Sequence, residues 1–202
     1  LNINNKLRDQ VFSNCTVLKK LVSNSDYFGQ QAFSGCSGLE TVVLTNRELI
    51  FENYVFDSCP KLETFGPLAD SDGSTEYLYD FNYAWDTAIP DYAFQRSWNA
   101  NSRKNVKEVT LPQGLISIGS LAFNNATALN KITLPPNLEV IGEQAFDSCQ
   151  NLKKVTIPES ITNINNDAFI FCRRLKHFDG KFASDDNRSL VIDGELICVA
   201  LA

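Results

Sequence analysis

Six cysteines and a single histidine are the residues of this 202-residue chain that carry nucleophilic or metal-binding chemistry. A thiol becomes a catalytic nucleophile when an imidazole within reach takes its proton. His177 with Cys172, five residues earlier, is the obvious pairing that the sequence offers. Zinc requires several such ligands at converging spacing. The chain has no C-x-x-C, no H-E-x-x-H and no second histidine, so no metal ligand is assigned. Paired carboxylates can work as acid and base across a substrate, but Asp185-Asp186 reads as solvated loop charge. No Gly-rich phosphate loop is present. A repeat running through the chain points Cys172 into the core and sets His177, two residues after Leu175, on the exposed face of a strand. The expectation is therefore a chain with no catalytic residue, no metal and no cofactor, and not an enzyme.

The elements that would position these side chains come from a repeat. Leu134 to Thr156, LPPNLEVIGEQAFDSCQNLKKVT, is followed by Ile157 to Asp179, IPESITNINNDAFIFCRRLKHFD, with matching slots. A Phe preceded by Ala or Val anchors each copy, at Phe12, Phe33, Phe56, Phe94, Phe123, Phe146 and Phe169, spaced by 21, 23, 38, 29, 23 and 23 residues. Five residues before the anchor stand Leu7, Phe28, Phe51, Ile89, Ile118, Ile141 and Ile164. Six residues after it come Leu18, Leu39, Leu62, Leu129, Leu152 and Leu175, and nine after it Leu21, Val42, Phe65, Ile132, Val155 and Phe178. The fourth copy breaks register, with Val106 and Val109 as its equivalents and 95–105 as a widened loop.

The spacing Leu152-x-x-Val155-x-Ile157 alternates apolar and polar positions, which predicts a strand with one buried face. Pro112, Pro135 or Pro158 follows such strands and lacks the amide that would continue a ladder. The Phe-bearing segment predicts a tight turn or a single helical turn. No copy can bury its apolar face alone, so the copies must stack around one shared core. The expectation is a right-handed solenoid with a parallel sheet along one side.

With these slots in place, LPPNLEVIGEQAFDSCQNLKKVTIP resembles the repeat of the BspA-like leucine-rich repeat family of bacterial surface and secreted proteins. The likeness covers about residues 6–180, most strongly from Val106 to Asp179 and more loosely before Thr64. The ending from Phe182 to Ile197 resembles the segment that links repeat blocks in such proteins, and its Asp193-Gly194 is a two-residue hairpin signal in its own right. The fold class expected is α/β leaning to mostly β, a leucine-rich-repeat solenoid with turns or single-turn helices opposite the sheet and a C-terminal hairpin. A single segment spanning 1–202 is expected, with about seven repeats, an irregular excursion at 66–105 and a linking segment at 181–202. The resemblance implies a secreted or cell-surface location and adhesion to host or neighbouring-cell proteins, without catalysis.

Composition narrows the partners. Lys plus Arg number 18 against 24 Asp plus Glu, a net charge of −6, which argues against nucleic acid and anionic membranes because both favour clustered cations. The apolar runs are too short to span a bilayer. Met is absent and the first six residues show neither a basic nor an apolar leader region, so the chain is expected to be a trimmed segment with no legible signal peptide. Leu201-Ala202 lacks a polar cap, and the native protein is expected to continue beyond it. A monomer is expected.

Three residues after the anchor the chain reads Cys15, Cys36, Cys59, Ser97, Ala126, Cys149 and Cys172, a slot whose common demand is small volume. Strands about 4.8 Å apart leave a Cys149–Cys172 bridge open by distance, while the presence of Ser and Ala favours buried free thiols. Cys198 is unassigned. The outward sheet columns read Lys20, Thr41, Thr64, Glu108, Lys131, Lys154, His177 and Val22, Val43, Gly66, Thr110, Thr133, Thr156, Asp179. Thr110, Thr133 and Thr156 are either strand formers on a solvated sheet or, with Lys131, Lys154 and His177, a face for an extracellular protein. The excursion places Tyr77, Tyr79, Phe81, Tyr83 and Trp85 at period two and adds Trp98. These aromatics either pack as an irregular strand or anchor a protein or a glycan; a passive spacer is the remaining reading. Three sequons, at Asn14, Asn125 and Asn187, are read as chance.

Overall fold

The computed structural model describes residues 2–3, 6–44, 50–62, 64–67, 88–97, 108–111, 114–165, 167–192 and 195–199. Its strands in chain order are β1 Asn2–Ile3, β2 Lys20–Ser23, β3 Tyr27–Phe28, β4 Thr41–Leu44, β5 Ile50–Phe51, β6 Thr64–Pro67, β7 Ala88–Ile89 and β8 Glu108–Thr110. They continue as β9 Ser117–Ile118, β10 Lys131–Thr133, β11 Val140–Ile141, β12 Lys154–Ile157, β13 Asn163–Ile164, β14 His177–Gly180, β15 Ser189–Ile192 and β16 Glu195–Val199. Each repeat supplies three walls around one core.

The first wall is built from the alternating segments as parallel strands, which among the described residues form three hydrogen-bonded sheets, β1-β2-β4-β6, β8-β10 and β12-β14. The column nine residues after the anchor becomes its register: Leu21 pairs with Val42 and Val42 with Phe65, Val109 with Ile132, and Val155 with Phe178. The Val109 pairing restores the register that the widened fourth copy interrupts. β12 ends at Ile157, immediately before Pro158, as the missing amide requires.

The second wall is a ladder of two-residue strands that period-two alternation is too short to reveal. The column five residues before the anchor forms it: Phe28 pairs with Phe51, and Ile89, Ile118, Ile141 and Ile164 pair in succession. Leu7 joins through a bridge to Phe28.

The third wall corrects the single-turn-helix alternative, because no helix is present among the described residues. The residue two before the anchor takes a left-handed φ in the first six copies, as at Gln31, Tyr54 and Gln144 (57°, 61° and 52°), and so does the residue two after it, as at Ser58, Asn125 and Ser148. A right-handed helix cannot run through such residues. The backbone donors divide instead. Alternate amides point along the solenoid, Gln31, Phe33 and Gly35 donating to the carbonyls of Asn53, Val55 and Asp57 one copy on. The amides between them close tight turns, Ala32, Ser34 and Cys36 donating to Gly29, Gln31 and Phe33. Every amide of the turn is thereby satisfied without a helix.

Inside these walls the seven anchor phenylalanines stack in one column, neighbouring ring centroids lying 5.3, 5.5, 6.0, 5.9, 5.2 and 5.2 Å apart from Phe12 to Phe169. Burying one such ring stabilises by roughly 1.5–3 kcal/mol, and each stacked pair adds about 0.5–1.5 kcal/mol. The column passes unbroken from Phe56 to Phe94 and on to Phe123, so both insertions leave the core register intact. Copies approach closely: a Cβ on Gly142 would lie 2.6 Å from the amide nitrogen of Ser120.

At the C-terminal end β15 and β16 pair antiparallel, with Ile192 opposite Glu195, and the expected turn residues Asp193 and Gly194 lie outside the described residues. The Phe178 amide of β14 donates to the Asn187 carbonyl, 2.8 Å away, so the 181–192 segment runs along the outer edge of β14. Leu190 and Ile197 are buried in the solenoid core.

Candidate binding surface

The outward columns meet solvent where the repeats are regular. On β10, Lys131 and Thr133 are exposed on either side of buried Ile132; on β12, Lys154 and Thr156 are exposed between buried Leu152, Val155 and Ile157. His177 is exposed on β14, directly opposite Lys154. Register places Thr110 opposite Thr133 and Thr156 opposite Asp179. Lys154 and Asp179 form an ion pair across the two strands. Five of the six sheet candidates are thus exposed on one face, and Thr110 joins them by register. Toward the N-terminus the face changes, because Val43, expected to point outward, is only 4% exposed and Val22 is half-buried. Tyr77, Tyr79, Phe81, Tyr83, Trp85 and Trp98 lie outside the described residues.

The thiols have a different task from catalysis. All six cysteines are free. The Sγ atoms of Cys36, Cys59, Cys149 and Cys172 donate to the anchor carbonyls of Phe12, Phe33, Phe123 and Phe146, one copy back, at 3.1, 3.3, 3.4 and 3.1 Å. Ser97 repeats the contact through its Oγ, 2.5 Å from the Phe56 carbonyl. The slot therefore selects a small side chain with a hydrogen to donate, a demand that volume alone does not express, and Ala126 meets only the volume. Burial pushes the Cys36 thiol up to about 11 and holds Cys59 and Cys149 well above the ordinary thiol range. Cys172 faces the core while His177 faces solvent, so the structure does not bring the one Cys–His pair together.

Two features of the turn wall escape a reading by columns of size and polarity. Tyr54 and Tyr92 occupy the left-handed position two before their anchors and stack with centroids 4.0 Å apart. The hydrogen bond with Tyr92, then burial, then the charges of Asp57 and Asp91 raise the Tyr54 phenol to about 12. Beside them runs a chain of mutually satisfied polar groups, in which Gln95 donates to Asn124 and Asn124 to Asp147, at 3.3 and 2.7 Å. The identical spacing of these residues from their anchors was the available signal. The sequon asparagines also acquire a structural reason: Asn14, Asn125 and Asn187 have φ of 60°, 61° and 58°, a conformation that Asn tolerates better than most residues.

Among the described residues, no group of three or more His, Cys, Asp or Glu is arranged to hold a metal ion. No helix among them is long and apolar enough to cross a membrane. A model of the BspA type leucine rich repeat region matches residues 2–69 and 87–184 in six copies. The chain belongs to the BspA-type leucine-rich repeat family. No curated protein matches this BspA-type chain. Among solved structures, it is similar to a leucine rich cell surface protein from Faecalibacterium prausnitzii, with a TM-score of 0.67 and 23% identity over 96% of this chain and 50% of that one. The two share a fold, and the BspA-type chain spans half the length of that protein. Looser matches are a leucine-rich repeat protein from Bacteroides capillosus, 29% identical over 56% of this chain and 71% of that one (TM-score 0.39), and the pneumococcal vaccine antigen PcpA, 20% identical over 81% and 54% (TM-score 0.45).

Proposed function

We propose that this solenoid is a non-catalytic binding module, secreted or displayed on a cell surface, that holds an extracellular protein against its outward sheet face as a monomer. The observation that carries the reading is the exposed, strand-registered array of Lys131, Thr133, Lys154, Thr156 and His177 on a scaffold whose thiols and turn amides are already engaged. A regular sheet of mixed cations and hydroxyls offers a broad rigid surface, the usual means by which solenoids meet partners. Membership of the family supports a binding role, and the cell-surface description of the Faecalibacterium prausnitzii protein supports the location.

The test is a screen of the purified chain against extracellular-matrix proteins and glycans at low and physiological salt. A protein ligand is expected, with Thr110→Glu plus Thr133→Glu weakening its binding at least tenfold and leaving the melting temperature unchanged. A ligand lost instead on Trp85→Ala plus Trp98→Ala would move the site to the 66–105 excursion. Binding to nothing on the array would turn the reading into a passive spacer.

A further inference from the structure

Residues 130–180 contain six Lys or Arg and six Asp or Glu, so this stretch is neutral as a sequence. The fold separates the two signs. Lys131, Lys153, Lys154, Arg173, Arg174 and Lys176 all lie four to eight residues after an anchor, on the corner leading into the first wall or on its outward face, and all are exposed. Glu139, Glu143, Asp147, Glu159 and Asp167 fall on the turns and the other two walls. Asp179 alone of the six acids shares the face, and it is taken up by Lys154. His177 adds an exposed imidazole beside Lys154.

Acids border this patch on both sides, and toward β8 Glu108 stands opposite Lys131 by register. Asp185 and Asp186 lie in the segment along the edge of β14 and bound the patch there. The Asp186 carboxylate accepts hydrogen bonds from Ser184 Oγ and the Arg188 amide, at 2.7 and 3.0 Å, which hold it below the usual carboxylate range. Lys181 is engaged elsewhere, with its Nζ on the carbonyls of Glu159 and Ile161.

We infer that the sheet over the last three repeats is a binding site for a linear acidic polysaccharide, bearing sulfate or carboxylate groups. Consecutive strands set the cations in rows about 4.8 Å apart, with Lys153 and Lys176 linked directly through backbone. A sugar polymer carries its charges about a ring apart, a spacing of the same order. Thr133 and Thr156 put hydroxyls between the cations, where they can exchange hydrogen bonds with sugar hydroxyls. Duplex nucleic acid, with about one charge per 1.7 Å of axis, calls for a longer basic track than this bounded patch on a chain of net charge −6. The site overlaps the proposed protein-binding face at Lys131, Thr133, Lys154 and Thr156 and extends past it to Lys153, Arg173, Arg174 and Lys176.

The experiment measures binding of the intact chain to dextran sulfate, polygalacturonate and uncharged dextran over a range of salt. Binding to an acidic polymer and not to dextran is expected, with affinity falling linearly in log salt as counterions are released. Arg173→Gln, Arg174→Gln and Lys176→Gln together should weaken it at least tenfold and flatten the salt slope. Lys6→Gln plus Arg8→Gln, the control at the other end, should change it less than twofold. The inference fails if neither acidic polymer binds at physiological salt, if the two sets of substitutions act alike, or if poly-glutamate, duplex DNA or anionic vesicles bind as tightly. Loss of the acidic polymer with retention of the protein ligand on Arg173→Gln, Arg174→Gln and Lys176→Gln, residues outside the proposed protein-binding set, separates this site from the protein one.

Discussion

The first and last copies of the repeat carry the same slots and end in different states. Phe12, Cys15 and Leu18 of the first copy are only partly buried, whereas Phe169, Cys172 and Leu175 of the last are 2%, 3% and 1% exposed. The difference lies outside the slots. Leu190 and Ile197 of the hairpin enter the core beside the last copy, and Phe178 meets Phe169 edge to face with centroids 5.7 Å apart. Phe12 has a ring neighbour at Phe33 on one side, 5.3 Å away. In a solenoid a slot residue owes its burial to its neighbours as much as to its own type, so identical residues contribute unequally along the stack.

That contrast can be broken experimentally. Phe146→Ala, in mid-column, should cost about 3–5 kcal/mol, because it leaves a cavity between two stacked rings. A mutant that melts like the parent would refute the assigned register. Leu190→Ala should cost about 2–5 kcal/mol, and hydrogen exchange should speed at the Phe178 amide while 138–152 stays protected. Uniform loosening would mean that the hairpin is not a local cap. Phe12→Ala should cost only about 1–2 kcal/mol, since its ring is half-buried and stacks on one side. Equal losses at Phe12 and Phe146 would remove the distinction between end and interior.

A smaller effect follows from the thiols. The Cys36 thiol rises from 9.0 to about 11 on burial. Above pH 9 the unfolded chain releases this proton while the folded one retains it, so the stability contributed by the neutral thiol is full below that value and is lost as pH rises toward 11. Melting temperature should decline across this window, and less so in Cys36→Ser. Identical pH profiles for the two proteins would exclude the thiol as the source.

The slots at five before, six after and nine after the anchor were legible because each demands one property, apolarity, at one fixed spacing. Val155 and Ile157 could be placed inward and Thr156 outward from alternation alone. The second sheet was not legible, since two residues such as Val140-Ile141 show no period. The choice between a tight turn and a helical one was not legible either, because left-handed positions accept residues as different as Gln31, Tyr54, Leu121 and Phe171. Of the candidate site, the outward columns could be named from the sequence, but Val43 was misplaced, since alternation predicts the side of a sheet and not what covers it.

The repeat by itself determined the solenoid: a strong, local and periodic demand for burial has few solutions other than stacking. Two properties were left to the tertiary structure. The cysteine slot became a hydrogen-bonding column only when stacking brought each thiol to the carbonyl of the preceding copy. Charge over 130–180 sums to zero along the chain, and only the winding of the chain around three walls sorts the cations onto one of them. Electrostatic recognition depends on which charges lie near one another in space, and linear order does not contain that distance.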